Sequence, residues 1–163
     1  MWWYIACLPG PPWANAYIEN PPIDLRMLMG AQAVRMKPDG FLYYQTSIWN
    51  SARPIESGPF TDWDPRSFLW FNGDGSWTRC GPGGRPVATQ RLENFRDGVE
   101  DHAYVDILAG KLKARPDAPW APRARRLLEV PSSVMISMTN FTHSASDVYA
   151  WRNAVAELIE EEE

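Results

Sequence analysis

The run Trp2-Trp3-Tyr4-Ile5-Ala6-Cys7-Leu8 is apolar and aromatic throughout and stops at Pro9-Gly10-Pro11-Pro12. A short continuous apolar run bounded by turn residues reads as a buried strand feeding a rigid loop. It carries no basic segment and meets Pro9-Gly10 too early for a signal peptide. Beyond it, Asn20-Pro21-Pro22 leads into the stretch 23–37, where Leu25, Leu28, Met29, Ala33 and Met36 recur at helical spacing. Pro22 precedes the first turn, Asp24 lies favourably within it, and Pro38-Asp39-Gly40 ends it. Phe41-Leu42-Tyr43-Tyr44-Gln45-Thr46 then reads as a second, aromatic strand.

Residues 47–76 form a long Pro/Gly/aromatic loop that ends in Asn72-Gly73-Asp74-Gly75. Loops of this length inside a compact domain are usually functional or disordered, and Trp49, Phe60, Trp63, Phe68, Trp70 and Phe71 favour order. A third strand is expected at Trp77 to Cys80, before Gly81-Pro82-Gly83-Gly84. Helical patterns follow over 86–113, with a stripe of Leu92, Phe95, Val99, Tyr104, Val105 and Leu108, then over 120–130 and 146–160. Strands alternating with helices imply parallel pairing. The expectation is one α/β domain over 1–163, with strands, helix and loop in 1–85 and helices in 86–163. Three strands leave sheet edges that a second copy or a further segment would cover.

Composition narrows the function. At 163 residues the chain is too short for a complete eight-fold β/α barrel, which takes about 250. Nine Trp, 6 Tyr and 6 Phe make it 13% aromatic, and 15 Pro with 11 Gly imply rigid loops. Net charge is −4, and four of the acids are the terminal run Glu160 to Glu163. Arg123, Arg125 and Arg126 are too few to be an electrostatic footprint for nucleic acid. No apolar run approaches the ~20 residues of a membrane helix. Cys7 and Cys80 permit one disulfide or two thiols, and no Cys/His cluster suggests a metal. No cofactor fingerprint is present. Asn140-Phe141-Thr142 is a sequon that matters only in a secreted context.

Two stretches carry a resemblance. One runs Arg26-Met27-Leu28, Asp39-Gly40-Phe41-Leu42-Tyr43-Tyr44 and Trp49-Asn50; the other runs Asn72-Gly73-Asp74-Gly75, Gly81-Pro82-Gly83 and Arg91-Leu92-Glu93-Asn94-Phe95-Arg96-Asp97-Gly98-Val99-Glu100-Asp101-His102-Ala103-Tyr104. Over residues 2–113, and more weakly to the end, the chain resembles the C-terminal part of the catalytic domain of family-123 glycoside hydrolases, the β-N-acetylgalactosaminidases. The resemblance implies a partial (β/α) barrel, about the last three β/α units, with extra C-terminal helices. It also implies substrate-assisted cleavage, in which the 2-acetamido oxygen attacks the anomeric carbon beside an adjacent Asp-Glu pair. This sequence contains no Asp-Glu dipeptide. Glu100-Asp101 has the reverse order within a helix, so no catalytic residue is assigned. The catalytic strand would lie upstream of Met1, which makes the chain look like a fragment that is inactive alone. A non-catalytic carbohydrate-binding or scaffolding protein is the alternative, and an incomplete gene product a third reading.

In such barrels the C-terminal ends of the strands form the working face. Sugar rings offer apolar C–H faces to aromatic side chains and hydroxyls to polar ones. Trp49, Tyr44 and Trp77 are therefore candidate platforms, with Tyr4 and Asn50 as hydrogen-bonding partners; each could instead fill the core beneath the long loop. Arg96 with Glu93 and Glu100 reads as ordinary helix pairing, and Gly98 inside a helix suggests a close packing contact. His102 and His143 read as structural or surface residues, and Asn72-Gly73-Asp74-Gly75 as a turn.

Overall fold

The computed structural model describes residues 1–17, 19–47 and 73–161. Strand β1 (Trp2–Tyr4) lies parallel to β2 (Gly40–Leu42) in the register Trp2↔Gly40, Trp3↔Phe41, Tyr4↔Leu42. The helical connection is α1 (Ile23–Met27), a π-helical segment Leu28–Gln32, and α2 (Ala33–Met36) in succession. It stops at Lys37, which takes the left-handed conformation (φ 51) and donates its N–H to Ala33 O at 2.8 Å. The expected strand–helix–strand unit is present, with shorter strands than the apolar runs suggested.

Side chains alternate across a strand, and the two faces of this ribbon meet different surroundings. Trp3, Phe41 and Tyr43 pack against a core of Ile5, Leu25, Leu28 and Trp77. Trp2, Tyr4, Leu42 and Tyr44 remain 68%, 52%, 53% and 37% exposed. The Trp2 indole lies over Gly40, where a Cβ would come within 2.9 Å of the ring.

The third strand departs from expectation. β3 (Thr78–Cys80) pairs antiparallel with β4 (Pro86–Ala88) as a hairpin. The physical reason is the intervening Gly81-Pro82-Gly83-Gly84-Arg85, closed by Gly81 N–H to Arg85 O at 2.8 Å. A parallel neighbour needs a crossover of a dozen or more residues, whereas a tight turn returns the chain beside itself. Residues 86–88 are thus strand, and α3 (Gln90–Ala114) starts later than the pattern over 86–113 implied. Among the described residues β1–β2 is the one parallel pair, and no closed barrel is formed. The fold is a mixture of helices and small two-stranded sheets.

The face that α3 buries is Gly98, Asp101, Val105 and Leu108, while Val99 is 45% exposed. Gly98 allows close approach: a Cβ there would stand 2.6 Å from Arg26 O. Asp101, 3% exposed, takes a two-pronged hydrogen bond from Arg26, Nε to Oδ2 at 2.7 Å and Nη2 to Oδ1 at 2.9 Å. Arg26 also stacks over the Tyr149 ring at 4.4 Å. Burial pushes the Asp101 carboxyl up, against the opposing pull of Arg26.

The C-terminal part adds α4 (Ala121–Leu128), a hairpin of β5 (Met135–Ser137) and β6 (Asn140–Phe141) absent from the sequence expectation, and α5 (Ala145–Glu160). These pack with α1, α2 and α3 around a second core that includes Met27, Leu108, Trp151 and Leu158. Trp151 Nε1 donates to Leu127 O at 3.0 Å, and Arg35 Nη1 donates to Met135 O and Ile136 O.

Candidate functional site

The C-terminal ends of β1 and β2 meet the segment that begins at Gly73. Three local structures hold this place together. The loop after β1 is pinned by Asn15, 1% exposed, whose Nδ2 donates to Ala6 O (3.0 Å) and Pro9 O (2.7 Å) while Oδ1 accepts from Ala16 N–H. Its far end is fixed where Arg91 of α3 donates Nε and Nη2 to Tyr17 O at 3.2 and 3.0 Å. Gly73 (φ 78) and Gly75 (φ 73) flank Asp74 in left-handed conformations that favour glycine, and Ser76 N–H closes the turn on Gly73 O at 3.0 Å.

That turn carries Asp74 inward, to 1% exposure. Tyr43 Oη donates to Asp74 Oδ1 at 2.7 Å and accepts the Gly75 N–H at 2.6 Å. The Tyr43 ring stacks on Trp77, centroids 4.3 Å apart at 11°, and meets Tyr44 edge-on at 5.3 Å. Burial first, then the Asp74 charge, then Tyr4 and Cys7, keep the Tyr44 proton in place well above the usual phenol range. Tyr43 is raised chiefly by burial as well. Tyr17 is pushed up to about 12, by burial and then by the charges of Asp74, Cys7 and Glu19. Tyr43 is thus hydrogen-bonded to a buried carboxylate whose charge also acts on Tyr17 and Tyr44.

Tyr4 and Tyr44 lie together at the strand ends on the exposed face of the ribbon. Trp77 does not join them. It is 3% exposed within a stack of Tyr43, Phe95 and Phe41, and its Nε1 has no hydrogen-bond partner among the described residues. Its ring is committed to the core. Trp49 and Asn50 lie outside the described residues. Asp74, Tyr43 and Tyr17 were not among the sequence candidates. Asp74 sat in what read as a plain turn; the signal was the position of that turn directly after the aromatic loop.

The other polar clusters are structural. Arg96 pairs with Glu93 and, at 3.6 Å, with Glu100 on the exposed side of α3. His143 Nδ1 lies 2.9 Å from Asp24 Oδ1, and Asn20 Nδ2 donates to Asp24 Oδ2 at 2.7 Å, which fixes the start of α1. Burial pushes the Asp24 carboxyl up despite both contacts. Cys7 is a free thiol. No group of three or more His, Cys, Asp or Glu side chains among the described residues is placed to hold a metal ion. No helix among them is long and apolar enough to cross a membrane.

No curated protein matches the sequence. The sequence profile described as "Glycoside hydrolase 123, catalytic domain" matches residues 1–108, which take in β1, β2, the β3–β4 hairpin and most of α3. With some two-thirds of its length matched in one stretch that contains the tyrosine cluster, the chain belongs to the glycoside hydrolase 123 catalytic-domain family.

Proposed function

We propose that this chain serves carbohydrate metabolism by holding an N-acetylgalactosamine-containing glycan at the C-terminal ends of β1 and β2. The observation that carries the reading is the paired exposure of Tyr4 and Tyr44 beside the Asp74 cluster, inside the family match. A ring that is half exposed and half supported offers a pyranose an apolar face and a hydroxyl without reordering. Trp49 and Asn50, which lie outside the described residues, are proposed as further sugar contacts.

These 163 residues contain no Asp-Glu pair, so they supply sugar contacts and not the acid–base chemistry of substrate-assisted cleavage. The absent pair favours, as a second reading, a carbohydrate-binding role without hydrolysis. An upstream segment or a second copy would add a strand at the β1 edge, beside the exposed Trp2 and Tyr4.

Calorimetric or NMR titration with N-acetylgalactosamine tests the reading. Weak binding is expected, reduced by Tyr4→Ala and by Trp49→Ala, together with no release of nitrophenol from a nitrophenyl N-acetylgalactosaminide. Failure of the unaltered chain to bind N-acetylgalactosamine would overturn it. Hydrolysis by this chain would overturn the separation of contacts from catalysis.

A further inference from the structure

We propose that the cavity along β1 is a second binding site, for a neutral, largely apolar ring that presents one N–H or O–H donor to the Gln32 amide oxygen. The cavity holds about 280 Å³ and lies between β1, the loop that carries Pro9 and Trp13, and the helical connection. Leu28 and Gln32, one turn apart in the π-helical segment, form its helical wall, while Gly30 between them faces Gly98 and Asp101 of α3. π-Helical turns are rare and recur at functional sites. Trp3, Tyr4 and Trp13 supply the aromatic wall. The loop behind that wall is pinned by Asn15, whose Nδ2 donates to Ala6 O and Pro9 O.

Gln32 is 0% exposed. Its Nε2 is turned to Met138 O in a long contact of 3.4 Å, and its Oε1 has no hydrogen-bond partner among the described residues. A buried amide oxygen without a donor costs free energy that a donor lodged beside it recovers. None of the described side chains that line the cavity is charged. An ionic ligand would therefore lose its hydration there and gain no counter-charge. A pyranose fits poorly as well, because it brings an oxygen on nearly every ring carbon. The side-chain oxygens available to it are Gln32 Oε1 and the Tyr4 hydroxyl. A flat ring with a single donor meets both demands: its faces pack on the indoles and its proton goes to Gln32. The inference stands whether or not the strand ends bind sugar, although Tyr4 borders both places.

Indole and indene, rings of nearly the same shape with and without an N–H, are the probes, titrated into the full chain by NMR. Indole is expected to bind about five- to tenfold more tightly than indene, the worth of one hydrogen bond. Its ring protons should show intermolecular NOEs to the Ala14 and Met138 methyl groups. Gln32→Met, which keeps the volume and removes the acceptor, should bring the ratio close to one while indene still binds. Trp13→Ala should weaken both probes alike. If Gln32→Met fails to fold, the ratio and the NOEs of the unaltered chain decide. Equal affinity for the two probes, a ratio unchanged in a folded Gln32→Met, or NOEs to methyl groups elsewhere overturns the inference. So does N-acetylgalactosamine giving the same NOEs, which would assign the cavity to sugar. A dimer in sedimentation that binds no indole also overturns it, because a second copy would then cover the cavity.

Discussion

The two faces of the β1–β2 ribbon are built from the same kinds of side chain and lead different lives. Trp3, Phe41 and Tyr43 face Leu25, Leu28, Trp77 and Phe95, so their area is removed from water. Trp2, Tyr4, Leu42 and Tyr44 alternate with them and stay largely exposed. Aromatic content therefore did not mark function by itself. One face turns it into stability, and the other leaves it on the surface.

Trp77→Ala should have the largest effect on stability. Removing the ring between Tyr43 and Phe95 should cost about 3–5 kcal/mol in a denaturant melt; a loss below 1 kcal/mol would show that the packed face is not a core. Gly98→Ala comes next. Its Cβ would meet the Arg26 carbonyl, a backbone atom that cannot swing aside. About 1–3 kcal/mol of overpacking should exceed the roughly 1 kcal/mol that alanine gains in helix propensity.

Asp24 supplies a pH test of the same packed side. Burial raises its folded-state pKa above the ordinary value, so the folded state holds this proton more tightly than the unfolded one. Its stabilising contribution is full below about pH 4, under the ordinary carboxylate range, and is lost as pH rises through the folded pKa. Asp24→Asn should remove that part of the pH dependence; identical stability–pH curves would contradict the assignment. Tyr4→Ala is expected to have the smallest effect on stability, within about 0.5–1 kcal/mol, while weakening sugar binding. A large stability loss there would mean that the exposed face is covered after all.

Much of this was legible locally. Pro22, the helical spacing from Leu25 to Met36 and the stop at Pro38-Asp39-Gly40 determine a helix between two strands. Helices near 120–130 and 146–160 appear as Ala121–Leu128 and Ala145–Glu160. The β3–β4 hairpin was missed although its turn is local, whereas the misjudged burial depended on distant partners. The stripe on α3 counted Val99 as buried, but the helix instead turns Gly98 and Asp101 inward, because Arg26 must be paired there. Val99 gives no sign of this, since a buried ion pair is invisible to apolar periodicity.

The candidate site divides in the same way. Tyr4 and Tyr44 are candidates because they stand at expected strand ends, and the structure places both on the exposed face of the ribbon. Trp77 stands at an equally suggestive position, yet the hairpin over 78–88 rolls it into the stack with Tyr43. Asp74 needed the most context of all. Alone, Gly73-Asp74-Gly75 is a polar turn that belongs in water.

Short-range physics is written along the chain: helix periodicity, helix ends at Gly and Pro, the family motifs, and the absence of an Asp-Glu pair. Which polar groups leave water is fixed only once the chain is folded. Burial is set by residues far apart in the chain, as when Tyr43 meets Asp74 and Arg26 meets Asp101. Removal from water is what makes a carboxylate in a turn a firm partner for the Tyr43 hydroxyl.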